Sequence, residues 1–398
     1  MVFPFRSAED FRVDITPEHE LFRKAVREFV EKNVMPRWRE IEETNRIPQE
    51  ILKAMAEQGL TGVGIPEQYG GQGGGQLMTV LAMEEVSRAT PALAVAIGVN
   101  HLFAIPILLF GSEDLKKRYV TPIARGEKRG AHANTEPSGG SDVAGIQSQA
   151  RKENDHYIIN GRKVFISGAG EADFLIVSAR TNPPQPGKRW WGITTFVVER
   201  DWPGVKIGQQ FRVIGMRGEQ PYEVVLDNVK VPAENMVGKE NEGFKVVVTT
   251  YDYTRIGIAA QAVGIAQATF EKALNYALQR EVFGQKLAEF EIITEKLADM
   301  YIRLEAARLL TYWAATLADA GRREFLIAAS LAKTFATESA EWIARQAVQI
   351  HGGYGVDFET GLERYLRDAI ITTIYEGTNE IQRLTIVREL VRQVFGVR

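Results

Sequence analysis

From about Gly130 to Gly238 the chain leaves helical spacing and turns to short β-rich runs. These are Tyr157-Ile158-Ile159, Lys163-Val164-Phe165-Ile166, Phe174-Leu175-Ile176-Val177, Thr194-Thr195-Phe196-Val197-Val198 and Glu223-Val224-Val225-Leu226. Turn signals separate them, among them Asn160-Gly161 and Pro183-Pro184-Gln185-Pro186-Gly187. No helical pattern is interleaved with these runs, which argues against a doubly wound dinucleotide-binding sheet. The expectation is a compact all-β domain, a barrel or sandwich, over residues 131–238.

Helical patterns lie on both sides of it. Residues 1–130 read as an N-terminal helical domain. Glu18 to Val34 places Phe22, Val26, Phe29 and Val30 on one face, and Pro48 to Gln58 continues with Ile51, Leu52 and Met55. The Gly70–Gly75 loop lacks the Gly-Lys-Ser/Thr ending of a phosphate-binding loop and reads as a turn. Leu77 to Ala89 and Leu93 to Phe110 follow as further helices. Residues 239–398 read as a C-terminal four-helix bundle, with segments over approximately 242–281, 288–320, 325–350 and 379–395.

Bulk properties narrow the function. The formal net charge of −3 over 398 residues argues against a general nucleic-acid or anionic-membrane surface. No apolar run is expected to reach bilayer-spanning length. The start, Met1 to Arg6, soon meets Glu9, Asp10 and Asp14 and lacks the form of a signal peptide, so a cytoplasmic protein is expected. With no cysteine, thiolate nucleophiles, disulfides and cysteine-held metal clusters are excluded. The five histidines show no metal-ligand spacing, so no metal site is expected. Chemistry must then come from carboxylates or an organic cofactor.

One carboxylate stands out. Ile374-Tyr375-Glu376-Gly377-Thr378-Asn379-Glu380 leads into a helix whose apolar stripe is Leu384, Val387, Leu390, Val391 and Val394. A carboxylate at a helix entrance is favoured in its charged form, and Gly377 lets another molecule approach the backbone. Glu376 could be a general base, although an isolated Glu-Gly-Thr reads more readily as a cap.

Other motifs reverse that weighting. His132-Ala133-Asn134-Thr135-Glu136-Pro137-Ser138-Gly139-Gly140-Ser141-Asp142 opens the β region, followed by Phe165-Ile166-Ser167 and Gly215-Met216-Arg217-Gly218. Tyr251-Asp252-Tyr253-Thr254-Arg255, Arg280-x-x-Phe283-Gly284 and Gln349-Ile350-His351-Gly352-Gly353-Tyr354-Gly355 follow. In this order, along nearly the whole chain, they resemble the acyl-CoA dehydrogenase family. The resemblance implies FAD as cofactor and an acyl-CoA substrate, dehydrogenated between its α and β carbons. Glu376 would be the base, flavin N5 the hydride acceptor and an electron-transfer flavoprotein the acceptor of electrons.

By the same resemblance His132, Asn134, Thr135, Ser141, Phe165, Ile166, Ser167, Thr378 and Glu380 hold the flavin. Ser141, Asp252, Arg255 and Gly377 meet the substrate. Arg280, Phe283, Phe290, Gln349, Gly352 and Gly353 serve FAD from a neighbouring subunit, in a homotetramer with FAD at the dimer interface. Some relatives place their base where this chain has Thr254, which leaves the task to Glu376. Phe165, Gly168 and Glu291 depart from the usual Trp, Asn and Gln. Leu93 stands where glutaryl-CoA relatives carry a clamping arginine, so a simple saturated acyl chain is expected within fatty acid β-oxidation. Two alternatives are an oxidase of the same fold that uses dioxygen and a non-catalytic flavin- or CoA-binding relative.

Overall fold

Helix α1 (Pro17–Asn33) begins where Thr16 caps it: the Thr16 hydroxyl accepts from the His19 amide, and proline fills the first turn. It buries Val26, Phe29 and Val30. Two shorter helices, α2 (Trp38–Thr44) and α3 (Gln49–Glu57), follow. The glycine loop then feeds α4 (Gly75–Ala89), whose first free amides, Gln76 and Leu77, donate to the Asp319 carboxylate at 2.6 and 2.9 Å. A helix start is thus satisfied from a residue more than two hundred positions away. The computed structural model describes residue 5 and residues 8–396, so most of the segment inspected for a signal peptide lies outside the described residues.

Helix α5 (Pro91–Phe110) corrects the expectation about apolar length. It spans 20 residues and is apolar enough to cross a membrane, but its most apolar window is 72% buried inside the protein. It is a core helix, apolar all round because neighbours cover it on most sides. Two short helical pieces, α6 (Glu113–Leu115) and α7 (Thr121–Ala124), lead to the sheet.

The middle region contains β1 (Gly130–Ala133), β2 (Gln149–Glu153), β3 (His156–Ser167), β4 (Phe174–Arg180) and β5 (Ile193–Glu199). Then come β6 (Val205–Gln210), β7 (Pro221–Pro232) and β8 (Met236–Val237). They form one sheet in the order β6-β7-β3-β2-β4-β5-β8, with β1 parallel to β4. The end strands β6 and β8 do not pair, so the sheet does not close into a barrel by hydrogen bonding. Asn160-Gly161 is not a turn: it lies within β3, at a register shift against β7. A side chain at Gly161 would collide with Ser148 Oγ, so the glycine marks a close approach of strands rather than a reversal.

Beyond the sheet run α8 (Gly243–Gln279), a small hairpin of β9 (Glu281–Val282) and β10 (Gln285–Lys286), α9 (Glu291–Asp319) and α10 (Phe325–His351). They are followed by α11 (Glu363–Thr372) and α12 (Asn379–Phe395). Helix α11 was not anticipated; its buried face mixes Tyr365 and Ala369 with Arg364 and Asp368, so charged residues interrupt the apolar spacing. One hydrophobic cluster joins the two helical regions, running from Val26 and Leu81 through Ile256 and Val263 to Ala336 and Ala369. A second fills the inside of the sheet around Ile159, Phe196 and Leu226.

Helix α8 is central to that larger cluster, and Gly264 shows how tightly it packs. A Cβ there would sit 2.3 Å from the Glu84 carbonyl oxygen and 2.6 Å from Ser87 Cβ on α4. In a free helix, Gly→Ala gains about 1 kcal/mol. Here Gly264→Ala is expected to destabilise instead, by about 1–3 kcal/mol of overpacking. Thermal or urea unfolding of the FAD-loaded variant checks this, and a raised midpoint would refute the packing account.

Candidate active site

Glu376 lies in the turn between α11 and α12 with φ +53°, and Gly377 follows at φ +90°. A left-handed conformation is costly for a residue with a Cβ, so its surroundings must hold it. The side-chain amide of Gln382 donates to the Glu376 carbonyl at 3.2 Å and to that of Gly377 at 3.0 Å. Thr378, not Glu376, caps α12, its hydroxyl accepting from the Ile381 amide at 3.4 Å. The Glu376 carboxylate therefore turns away from the helix end. It accepts a hydrogen bond from the Thr254 hydroxyl on α8. Burial pushes its pKa up to about 7, against the opposing pull of Thr254, Arg255 and Lys333.

Arg255 is buried on the same turn of α8. It ion-pairs with Asp252 at 3.1 Å and donates to Ser330 Oγ and Gln382 Oε1, both at 3.0 Å. Asp252 and Arg255 thus form the i,i+3 pair their spacing allows.

The carboxylate faces a cavity of about 350 Å³. Its walls include His132, Thr135 and Ser141 after β1, Phe165, Ile166 and Ser167 on β3, and Tyr251 on α8. The Glu376–Thr378 turn and Val99 and Leu102 of α5 complete it. A second cavity of about 420 Å³ shares Ser141, Tyr251, Glu376 and Gly377 and extends past Asp252 and Arg255 along α12. Residues from Val99 to Thr378 meet here.

Several details suit a planar cofactor. Phe165 has φ +56° at a bulge of β3, where the pairing with β7 shifts between Lys163 and Ile166. The bulge turns its ring outward, 55% exposed and stacked on Phe211 at 4.3 Å. His132 sits with Nδ1 3.1 Å from the Leu102 carbonyl, and burial drops its pKa to about 4, so the ring is neutral. Its Nε2 and the Asn134 Oδ1 are buried without a protein partner. Unfilled polar atoms beside a cavity fit a bound polar group.

The remaining predicted residues are not at this cavity. Arg280, Gly352 and Gly353 line a separate open depression with Tyr276, His351 and Tyr354. Phe283 is 97% exposed by the β9–β10 hairpin, its ring 6.4 Å from that of Phe290. Gln349 and Glu380 are exposed on α10 and α12. Within one chain Arg280, Gly352 and Gly353 thus lie at a site separate from the Glu376 cavity, whereas Glu380 stays beside Thr378 in the first turn of α12.

Sequence reasoning missed Lys333, Gln382, and the pair Tyr375–Gln261, whose side chains hydrogen-bond. For Lys333 a signal existed: it occupies the apolar stripe of α10 among Ala329, Ala332, Ala336 and Ala340, all buried. A lysine in such a stripe needs a partner.

Three family models match in order: the acyl-CoA dehydrogenase N-terminal domain over residues 16–127, the middle domain over 131–229 and the C-terminal domain over 241–391. The chain belongs to the acyl-CoA dehydrogenase family. The short-chain specific acyl-CoA dehydrogenase of Clostridium acetobutylicum is 41% identical over 380 residues, 95% of this chain and 99% of that one. Among solved structures, butyryl-CoA dehydrogenase from Megasphaera elsdenii superposes with a TM-score of 0.92 at 40% identity, covering 96% and 100% of the two chains. A structure described as the electron transferring flavoprotein of Acidaminococcus fermentans also gives 0.92, at 38% identity over 95% and 99%. As a member of this acyl-CoA dehydrogenase family the protein is an FAD-dependent oxidoreductase acting on CH–CH bonds, close to the butyryl-CoA and short-chain members.

One part of the Thr-Glu-Pro motif is architectural. Glu136 accepts from the Gln147 and Ser148 amides at 2.5 and 3.0 Å and from Lys163 Nζ at 2.7 Å, with both side chains buried. Lys163 also donates to the Asn134 and Ser178 carbonyls at 3.2 and 2.7 Å. Lys163→Met is expected to cost about 3–5 kcal/mol by stranding the Glu136 charge. Adding Glu136→Gln should recover part of that loss, as urea titrations of both variants would show. A double variant no more stable than the single one contradicts the stranded-charge account.

Proposed function

We propose that the protein dehydrogenates a short, saturated acyl-CoA thioester to the trans-2-enoyl-CoA, with Glu376 as general base. The observation that carries this reading is the single carboxylate of the Glu376 turn. It faces the cavity between α5, β3 and α8, and burial has raised it to about 7, the range where a base works best at neutral pH. Glu376 takes the α proton as the α–β double bond forms. When bound, FAD supplies the other half of the balance by accepting the β hydrogen with its electron pair as hydride at N5. The Glu376 backbone amide would donate to the thioester oxygen as negative charge develops there. Asp252, Arg255, Ser141 and Gly377 would position the thioester and its arm.

His132, Asn134, Thr135, Ser141, Phe165, Ile166, Ser167 and Thr378 would hold the flavin end from within one chain. Glu380, beside Thr378, would join them, while Arg280, Phe283, Phe290, Gln349, Gly352 and Gly353 would serve the cofactor across an interface between copies. Exposure supports this, since Phe283, Tyr354 and Phe358 are large apolar groups left uncovered near those positions. The uncovered Ile292, Tyr301, Ile302 and Leu309 on α9 fit further contacts in a homotetramer. Electrons would leave to an electron-transfer flavoprotein, a partner supported by the likeness to the Acidaminococcus structure. Similarity to butyryl-CoA dehydrogenase favours short acyl chains and a place in fatty acid β-oxidation.

Only the carboxylate form of Glu376 accepts a proton, so flavin reduction should rise with pH through about 7 and fall about tenfold per unit on the acid side. Anaerobic bleaching of the flavin by butyryl-, octanoyl- and glutaryl-CoA tests the assignment, with butyryl-CoA expected fastest. Glu376→Gln should keep its FAD and reduce it about 100- to 10,000-fold more slowly. Equal rates in the variant and parent would remove Glu376 from the mechanism, and no bleaching by any acyl-CoA would remove the substrate class.

A further inference from the structure

Lys333 lies in the first half of α10 and is wholly buried, an expensive place for an ammonium group. It donates to the Gly377 carbonyl at 3.0 Å and to Asn379 Oδ1 at 2.9 Å. Asn379 is in turn fixed by its own amide, which donates to Thr337 Oγ1 at 3.0 Å and Glu338 at 3.2 Å. On the other side of the turn, Gln382 holds the Glu376 and Gly377 carbonyls and is itself held by Arg255. The two consecutive left-handed residues therefore have their carbonyl oxygens gripped from two helices.

We infer that Lys333 is a positioning residue for the reaction: it fixes the Glu376–Gly377 turn in its left-handed form and places a positive charge behind the carboxylate. This rests on the proposed role of Glu376 as base. A neutral donor would satisfy the carbonyls at lower desolvation cost, so a lysine at this position points to a role for its charged form. Burial draws the Lys333 pKa down to about 7, against the pull of Glu376, Glu380 and Glu338 and with the push of Arg255. The other ionisable groups around the carboxylate are Tyr251, Asp252 and Arg255 on α8 and Tyr375 in the turn itself. Arg388 and Glu389 of α12 stand behind Asp252, and Arg383 is tied to Glu338 at 2.7 Å. Among the described residues, Lys333 is the one cation that also donates directly to the turn.

Proton transfer can be read apart from hydride transfer. With the flavin held reduced by dithionite, holoenzyme in D₂O should exchange the α hydrogens of butyryl-CoA, followed by mass spectrometry. Glu376 takes a proton from the α carbon and returns a deuteron, with no net oxidation. Lys333→Met should bind FAD and butyryl-CoA within about twofold of the parent, lower the exchange plateau about tenfold and move its acid limb up by about one pH unit. Lys333→Gln, which keeps a donor, should restore the plateau but not the limb. In a Glu376→Gln background Lys333→Met should cost nothing further, because it acts through the base. The inference falls if Lys333→Met leaves plateau and limb unchanged, if its cost persists without Glu376, or if both Lys333 variants lose their flavin. Parent-rate exchange by Glu376→Gln alone would instead refute the base assignment.

Discussion

Helix α8 passes through the middle of the protein only because it is made of small residues where other helices press on it. Gly257, Ala259, Ala260, Ala262, Gly264, Ala266 and Ala268 are all buried along it. At Gly257 an added Cβ would meet Met83 Sδ at 2.7 Å, so α4 fills the space that the glycine leaves. Gln261 then bridges to the Pro91 carbonyl at 2.8 Å and to Met216 Sδ at 3.7 Å, linking α8 to α5 and to the β6–β7 connection. A helix fixed so closely along its length cannot shift or rotate freely. Tyr251, Asp252, Thr254 and Arg255, at the end nearer the sheet, are thereby held against the turn that carries Glu376.

Two buried carboxylates show how the same residue type is given opposite tasks. Burial pushes Glu136 up, but Lys163 and the amides of Gln147 and Ser148 outweigh it, and its pKa ends below the usual value. Glu376 receives one hydroxyl hydrogen bond, and its cations, Arg255 and Lys333, are spent largely on other acceptors. Burial then dominates and the pKa rises. The first arrangement stabilises a permanent charge and fastens a loop to a strand. The second leaves a carboxyl group close to the midpoint between its two forms, suited to taking up a proton and releasing it.

What was legible from sequence follows from this physics. Alternation and helical spacing revealed the three-part order, since they report which faces are apolar. The same rules failed where polar residues are buried: α11 hides Arg364 and Asp368, and the inward Lys333 of α10 passed unnoticed. Asn160-Gly161 was misread because a glycine needed for close strand approach looks locally like one needed for a turn. At the site, motif order brought Glu376, His132, Thr135, Ser141, Phe165 and Ser167 into one set, and they do share a cavity. Arg280 and Gly352 belong to a different surface of the same chain, which spacing along a sequence does not reveal.

Helix α12 carries that limit further. Its apolar stripe was legible, but the stripe does not face the core of its own chain. Leu384, Val387 and Val391 are exposed, while Asn379, Gln382, Thr385 and Glu389 point inward. A hydrophobic pattern fixes a helix and its two faces; it does not say which face meets the chain and which meets something else. Here the polar face is the one the site requires, because Gln382 and Asn379 must reach the Glu376 turn and Lys333. Turning the stripe inward would bury leucine and valine but remove those donors and acceptors, leaving Lys333 and the turn carbonyls unpartnered. The apolar side left outside fits the proposed contact between copies. On that reading, burial of the stripe is deferred to assembly, and the same helix that steadies the base from within helps join the subunits.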